Sequence, residues 1–279
     1  MNGIQTRTIA IVTGASSGLG AAFLEAIVAR YRNLDEIWIV ARRERRLRAL
    51  AGKYGNSHTR IRTIPLDLTG PDAYGTLTGM LEDERPNIRV LINNAGYERE
   101  GVLRDMSPAD IRAMIDLNVT AMTMVSRVCL PYMGRGSFAV ITGSVSPFAP
   151  IPWQAVYAAS KAYVRFLSRA LHEEERERGV NVLLFSPGNM DTEMNVRGAV
   201  SGKLARLPYL DLRREAVRTL ARAERGCATY TPLAFYRLYR IFAKLAPSAL
   251  AVRVTSLKSG GAAAPPRNGA VTAASTAQA

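Results

Sequence analysis

Tyr157-Ala158-Ala159-Ser160-Lys161 sets a phenol and an ammonium four positions apart, at the start of a segment with helical periodicity, so both project from one face. A phenol with an ordinary pKa of about 10 is too high to act as a base at neutral pH. A nearby ammonium favours the phenolate, as does an oxidised nicotinamide. Such a pair can give a proton to a carbonyl oxygen or take one from an alcohol. Ser144 lies thirteen residues upstream, just after the apolar run Phe138–Thr142, where a hydroxyl can hydrogen-bond the reacting oxygen. Asn118, in Asp116-Leu117-Asn118, falls mid-helix. Asparagine is neutral to unfavourable there, which makes it a candidate for a positional role.

A second group of residues can hold an anion. Thr13-Gly14-Ala15-Ser16-Ser17-Gly18-Leu19-Gly20 joins the apolar run Ile9–Val12 to a helical segment. Its glycines allow a tight turn and close backbone approach to a pyrophosphate, whose charge meets the helix N-terminus. The spacing is Gly-x-x-x-Gly-x-Gly rather than the Gly-x-Gly-x-x-Gly of ordinary dinucleotide enzymes. The next strand candidate ends in Ala41-Arg42-Arg43. An NAD enzyme places a carboxylate at this end for the ribose hydroxyls. Guanidinium groups suit the 2′-phosphate of NADP instead, through Arg42 first and Arg43 second.

Positioning these groups requires alternating elements. Strand candidates are Thr8–Val12, Glu36–Val40, Arg60–Pro65, Val90–Asn93, Ser137–Thr142 and Asn181–Ser186. Helical spacing marks Gly18–Tyr31, Glu44–Tyr54, Asp72–Glu84, Pro108–Met133 and Val156–Gly179, then Leu212–Arg225 and Leu233–Leu245. The alternation predicts an α/β fold, a doubly wound parallel sheet with helices on both faces. The strands read as continuous apolar runs, as expected when both faces are covered. The reading gives one domain over residues 1–257, with lid and C-terminal helices from 197, and a disordered Ala/Gly/Pro/Ser/Thr-rich tail over 258–279.

The 279 residues carry 37 Lys+Arg against 23 Asp+Glu, a net charge of +14. Residues 1–196 hold 23 basic and 20 acidic side chains; residues 197–279 hold 14 and 3. The excess therefore sits beyond the motifs above. Cys129 and Cys227 are too few for a disulfide framework. The scattered His and Cys residues argue against a zinc site. No signal peptide or membrane-spanning run is expected, so the expected location is the cytoplasm. No nucleic-acid motif accompanies the charge.

Together these landmarks resemble the short-chain dehydrogenase/reductase family: the turn 13–20, Asp67-Leu68, Asn93–Gly96, Asn118, Ser144, Tyr157/Lys161 and Pro187-Gly188 with Thr192. They come in the family's order and cover roughly residues 5–195. Within it, Asp35–Arg42, Met114–Asn118 and Tyr236–Pro247 look like a bacterial branch of broad carbonyl reductases, some of which act on hydroxysteroids or bile acids. The resemblance implies a Rossmann-like sheet of about seven strands, hydride transfer between a nicotinamide and a carbonyl or alcohol, and a homodimer or homotetramer. It implies Tyr157 as acid/base. Lys161 would lower the Tyr157 pKa and bind the nicotinamide ribose, Ser144 would orient the substrate oxygen, and Asn118 would hold a relay water. The cofactor, with NADP(H) preferred over NAD(H), would lie against Gly14, Ser16, Ser17, Gly18, Leu19, Gly20, Arg42, Arg43, Asp67, Leu68, Asn94, Ala95, Gly96, Pro187, Gly188, Met190 and Thr192. Thr142-Gly143-Ser144 departs from the family's usual serine pair, and Asn189 stands where an apolar residue is more common.

Substrate contacts are expected from Tyr97, Ser144, Phe148, Trp153 and Met194, an apolar and partly aromatic set that fits a hydrophobic carbonyl. By resemblance, residues 197–225 form a lid whose cations would attract an anionic substrate. In 233–245, Arg237, Arg240 and Lys244 share one stripe and Phe235, Leu238, Phe242 and Leu245 another. Packing of this helix on the domain or a partner subunit is favoured over membrane contact. Two other readings stay open: an NADP-binding regulator, and a membrane-surface protein, both without turnover.

Overall fold

The computed structural model describes residues 6–55, 59–193 and 208–255. Its strands are β1 (Thr8–Thr13), β2 (Glu36–Ala41), β3 (Arg60–Pro65), β4 (Asn87–Asn93), β5 (Phe138–Thr142), β6 (Asn181–Phe185) and β7 (Thr229–Tyr230). They form one sheet in the order β3-β2-β1-β4-β5-β6-β7, with every pair parallel. The order reverses between β1 and β4, and a crevice opens there at the carboxyl ends of the strands, where α/β sheets bind ligands.

The helices are α1 (Gly18–Arg30), α2 (Glu44–Tyr54), α3 (Ala73–Glu84), α4 (Pro108–Ile115), α5 (Met122–Cys129), α6 (Ala155–Glu174), α7 (Leu212–Glu224), α8 (Ala234–Leu245) and α9 (Ser248–Thr255). Successive strand side chains point to opposite faces. Ala10, Val12, Ile37, Ile39, Val90 and Ile92 join α1 and α7 in one core. Ile9, Ile11, Trp38, Val40, Ile88 and Leu91 join α3, α5 and α6 in the other. The strands are continuously apolar because both faces are covered. The edge strand β3 is the exception: Arg60 and Arg62 take ion pairs with Glu36 and Glu84, polar cover of the kind that keeps a free edge from pairing with another chain.

Three boundaries differ from the sequence reading. The segment read as Pro108–Met133 runs on without a break from α4 to α5, but residues Asp116–Ala121 form a π-helical turn. The segment read as Val156–Gly179 stops being helical at Glu174, and a turn leads on to Gly179, which adopts φ +71°. Strand β7, the seventh that the resemblance implies, was not located in the sequence, and helix α9 was not read there either. Two residues are too short to show a period, and β7 is defined only by pairing with β6. Met194, residues 197–207 of the lid expected over 197–225, and the tail over 258–279 lie outside the described residues; the rest of the expected lid is mostly α7, whose Ala216, Leu220 and Ala223 are packed in the core with α1.

Candidate active site

The glycine turn is forced by contacts across the crevice. Gly14 and Gly18 have φ of +65° and +52°, where side chains are strained. A β-carbon on Gly14 would stand 3.0 Å from the Ala95 Cα, and one on Gly20 only 2.2 Å from the Gly14 carbonyl oxygen. Thr13 binds the facing turn, its Oγ1 accepting from the backbone N–H of Asn94 and Ala95 at 2.9 and 3.1 Å. The side chain of Ser17, which precedes α1, makes no capping bond, and the first turn of α1 has no acidic residue. Its first-turn N–H groups therefore have neither a cap from the Ser17 side chain nor an acidic side chain of the helix itself beside them. This cradle fits the pyrophosphate of a nicotinamide dinucleotide. Thr192 lies at the same turn, its Cγ2 3.2 Å from where a Gly18 β-carbon would be.

The two arginines separate. Arg43 donates from Nη2 to Ser16 Oγ at 2.9 Å and Ser17 Oγ at 2.7 Å, and from Nη1 to Glu193 at 2.5 Å. Arg42 instead faces Asp67 at 3.8 Å, with both side chains exposed. Asp67 also accepts from Thr69. Leu68 is buried, and its carbonyl accepts from Tyr74 Oη at 2.7 Å. Arg43, ranked second from sequence, is the one joined to the glycine turn.

Opposite the turn, β5 ends in Thr142-Gly143-Ser144. The glycine is required: a β-carbon there would come within 2.8 Å of Leu184 Cδ1 on β6. Ser144, Tyr157 and Lys161 are all buried. Lys161 Nζ donates to the Thr142 carbonyl at 3.0 Å, and a Gly96 β-carbon would stand 3.5 Å from it. Ser144 Oγ donates to Ser146 Oγ and accepts from the Ser146 N–H, both at 3.0 Å, and its hydroxyl favours the ionised form of Tyr157. Asn118 sits in the π-helical turn, fully buried. Its Oδ1 accepts from the Tyr97 N–H at 2.9 Å, while Nδ2 donates to the Tyr97 carbonyl at 2.8 Å and to Ser160 Oγ at 3.1 Å. Ser160 in turn donates to the Tyr157 carbonyl at 2.7 Å. The amide thus ties the end of β4 to the turn of α6 that carries Tyr157. Both of its N–H donors are committed to protein partners. π-Helical turns inside α-helices recur at functional sites.

In the unliganded chain burial pushes the Tyr157 phenol well above its ordinary value, the charge of Glu98 adds to this, and Ser144 opposes it. Lys161 is itself lowered to about 8 by burial, against the pull of Glu98. A buried phenol beside a carboxylate resists becoming phenolate. The unliganded chain therefore holds Tyr157 as the neutral acid.

The carboxylates were missed in the sequence. Gln154 Nε2 donates to Glu98 Oε1 at 2.9 Å and to Glu100 Oε1 at 2.6 Å. Burial first, then the neighbouring Glu100, raises Glu98 to about 8, with Lys161 opposing. The only sequence cue was that Glu98 follows Asn93–Tyr97 closely. Its approach to Gln154, 56 positions away, was not readable. The same two loops meet where the Gly101 N–H donates to the Trp153 carbonyl at 2.8 Å. Trp153 holds φ +69°, strained for a bulky residue.

The other expected substrate residues divide. Tyr97 is partly buried and donates from Oη to Asp110 at 2.7 Å. Phe148 is buried, packed on Tyr239 at 5.8 Å and under Arg165 at 5.3 Å, so it supports the loop from within. Met190 bridges to Leu210. Val145 N–H donates to the Pro187 carbonyl, which joins the Ser144 loop to Pro187-Gly188.

The profile of a known family, described as short chain dehydrogenase, matches residues 8–199. An uncharacterized oxidoreductase of Staphylococcus epidermidis is 31% identical over 188 residues, covering 67% of this chain and 79% of the relative. A short-chain dehydrogenase from Sphingobium yanoikuyae, solved with NADPH, superposes with a TM-score of 0.72 at 26% identity, covering 94% of this chain and 100% of that one. A bulky-bulky ketone specific alcohol dehydrogenase from Comamonas testosteroni gives 0.68 at 26% identity, covering 85% and 90%. With the sheet order, the glycine cradle and the buried serine, tyrosine and lysine, the chain belongs to the short-chain dehydrogenase/reductase family of NAD(P)-dependent oxidoreductases.

Proposed function

We propose that the chain is an NADP(H)-dependent reductase of hydrophobic ketones or aldehydes, reversible toward the alcohols, with hydroxysteroids and bile acids among the substrates to test. One observation carries the cofactor half: Arg43 is drawn over Ser16 and Ser17 at the anion cradle, so a guanidinium and two hydroxyls converge where a ribose 2′-phosphate would bind. The NADPH-bound Sphingobium relative supports the same reading. For the substrate, the aromatic Tyr97 adjoins Asn118 through its backbone, Trp153 lies in the loop that meets Gly101, and Glu98 and Glu100 act on Tyr157. The bulky-ketone enzyme of Comamonas testosteroni supports an uncharged, bulky carbonyl.

Ser16, Ser17 and Arg43 at the glycine turn would hold the dinucleotide, whose reduced nicotinamide would supply the hydride for the carbonyl carbon. Ser144 donates a hydrogen bond that orients the carbonyl oxygen. Tyr157 delivers its phenolic proton to that oxygen as negative charge develops there. Lys161, anchored on the Thr142 carbonyl, places a positive charge near the phenolate left behind. Asn118 holds the Tyr97 backbone and, through Ser160, the Tyr157 turn in register.

Pairing of two chains through the long helices is part of the proposal, since Ile115 on α4 and Tyr163 and Phe166 on α6 are exposed. The deciding experiment is NADPH and NADH absorbance with a panel of ketones, aldehydes and hydroxysteroids. Turnover of uncharged bulky ketones with NADPH is expected. Turnover only with NADH, or only with anionic carbonyls, would overturn the proposal.

A further inference from the structure

The helix α8 has three faces, and the domain uses one. Tyr236 is buried against Gly188, and the Tyr239 ring packs on Phe148 at 5.8 Å. These contacts fix how the helix is rotated.

The second face is cationic. Arg237, Arg240 and Lys244 line a cavity of about 720 Å³ together with Arg218 and Arg222 of α7. The acid beside them, Glu215, is buried and already bonded by Tyr230 Oη at 2.5 Å and Arg218 at 3.2 Å. Arg222 lies over the Tyr230 ring at 4.0 Å. Among the described residues no carboxylate forms an ion pair with Arg222, Arg237, Arg240 or Lys244. The charge of Arg240 even reaches Arg165 and, after burial, helps to lower its pKa. Several like charges around one cavity repel each other, and an anion in it removes that repulsion.

The third face is apolar and points outward. Leu238, Ile241 and Leu245 are 65%, 55% and 77% exposed, and Phe235 is 50% exposed. Of the two packings expected from sequence, on the domain or on a partner subunit, the contact with the domain is made by Tyr236 and Tyr239 and not by this stripe. Leu250 and Val254 of the adjoining α9 extend the exposed apolar surface. A contiguous apolar patch flanked by cations has one natural complement, a surface with an apolar interior and anionic headgroups. A second copy of this face complements it poorly, because each chain carries +14 and the same cations would meet.

We propose that α8 docks the protein on a bilayer of anionic phospholipid, its apolar face in the headgroup–acyl boundary and its cationic cavity receiving lipid phosphate.

The test is cosedimentation of the full chain with phosphatidylcholine vesicles, with and without phosphatidylglycerol. Binding to the phosphatidylglycerol vesicles, at least about tenfold above phosphatidylcholine alone, is expected, falling as salt rises. The triple variant Arg237→Gln, Arg240→Gln, Lys244→Gln should lose it, and so should Leu238→Ser with Leu245→Ser, each with an unchanged circular dichroism spectrum and melting temperature. If the serine variant binds as the parent does, contact is by charge alone and the docking proposal falls. Thermal protection by inorganic tripolyphosphate without vesicle binding would assign the cavity to a free polyanion. Self-association by light scattering that the serine variant abolishes, without vesicle binding, would assign the face to a second copy. Either result overturns the proposal.

Discussion

The ring of Tyr236 lies directly on the backbone of Gly188: a β-carbon on that glycine would stand 2.1 Å from Cε2 and Cζ. The same hydroxyl donates to the Pro208 carbonyl at 3.2 Å and accepts from the Asn189 N–H at 3.3 Å. One aromatic side chain therefore joins α8 to the loop that follows β6, and that loop borders the cofactor cradle.

Gly188→Ala should destabilise the chain by ~1–3 kcal/mol, because backbone on one side and a buried ring on the other leave no room to relax. It should also weaken NADPH binding by moving Pro187 and the Ser144 loop bonded to it. Adding Tyr236→Ala relieves the clash, so the double variant should lose less than the sum of the two single losses. Melting curves and NADPH titration of the four proteins check this; additive losses would mean that the two residues do not press on one another.

Tyr157→Phe removes the proton donor and leaves the ring. Turnover should fall by ~10²–10⁴-fold, while NADPH binding, followed by fluorescence, stays within a few-fold of the parent. Parent-like turnover would rule Tyr157 out as the acid.

Arg43→Ala removes the guanidinium from Ser16 and Ser17. Loss of a charge-assisted bond costs about 1.5–3 kcal/mol, so the KM for NADPH should rise by roughly ten- to a hundredfold and that for NADH change little. Arg42→Ala, which breaks only an exposed pair with Asp67, should do less. The comparison of both cofactors across both variants decides which arginine reads the phosphate.

Glu98 gives a pH prediction. Its carboxyl titrates at about 8 in the folded chain against an ordinary 4.5, because burial and Glu100 oppose its charge while Lys161 favours it. The folded state therefore keeps a proton that the unfolded chain releases. That contribution to stability is complete below pH 4.5 and is lost as pH rises through 8. Glu98→Gln, neutral at every pH, should melt above the parent at pH 8 and higher, with the gap closing toward pH 4.5. A gap that does not depend on pH would place the Glu98 proton elsewhere.

Most of the fold was legible because its signals are local. Six apolar runs and seven periodic segments correspond to six strands and to the helices α1–α8, the segment 108–133 covering both α4 and α5. A period is a property of neighbours in sequence, and burial of a parallel sheet on both faces makes its strands uniformly apolar. The catalytic set was legible for a related reason: Tyr157 and Lys161 share one helix turn, and Ser144 must follow the end of β5. The short elements β7 and α9 carry no such period.

The sequence by itself determined which residues share a face and which chemistry they can perform: the tyrosine–lysine pair, the anion-binding turn and the cationic and apolar stripes of α8. Only the tertiary structure decided what each face meets. It brought Glu98 and Glu100 to Gln154, chose Arg43 over Arg42 at the glycine turn, and turned Leu238, Ile241 and Leu245 outward. The physical reason is that periodicity fixes side-chain direction about its own axis, while the rotation of that axis in the domain is set by distant contacts. For α8 that contact is the Tyr236 ring on Gly188, a pair 48 positions apart in sequence.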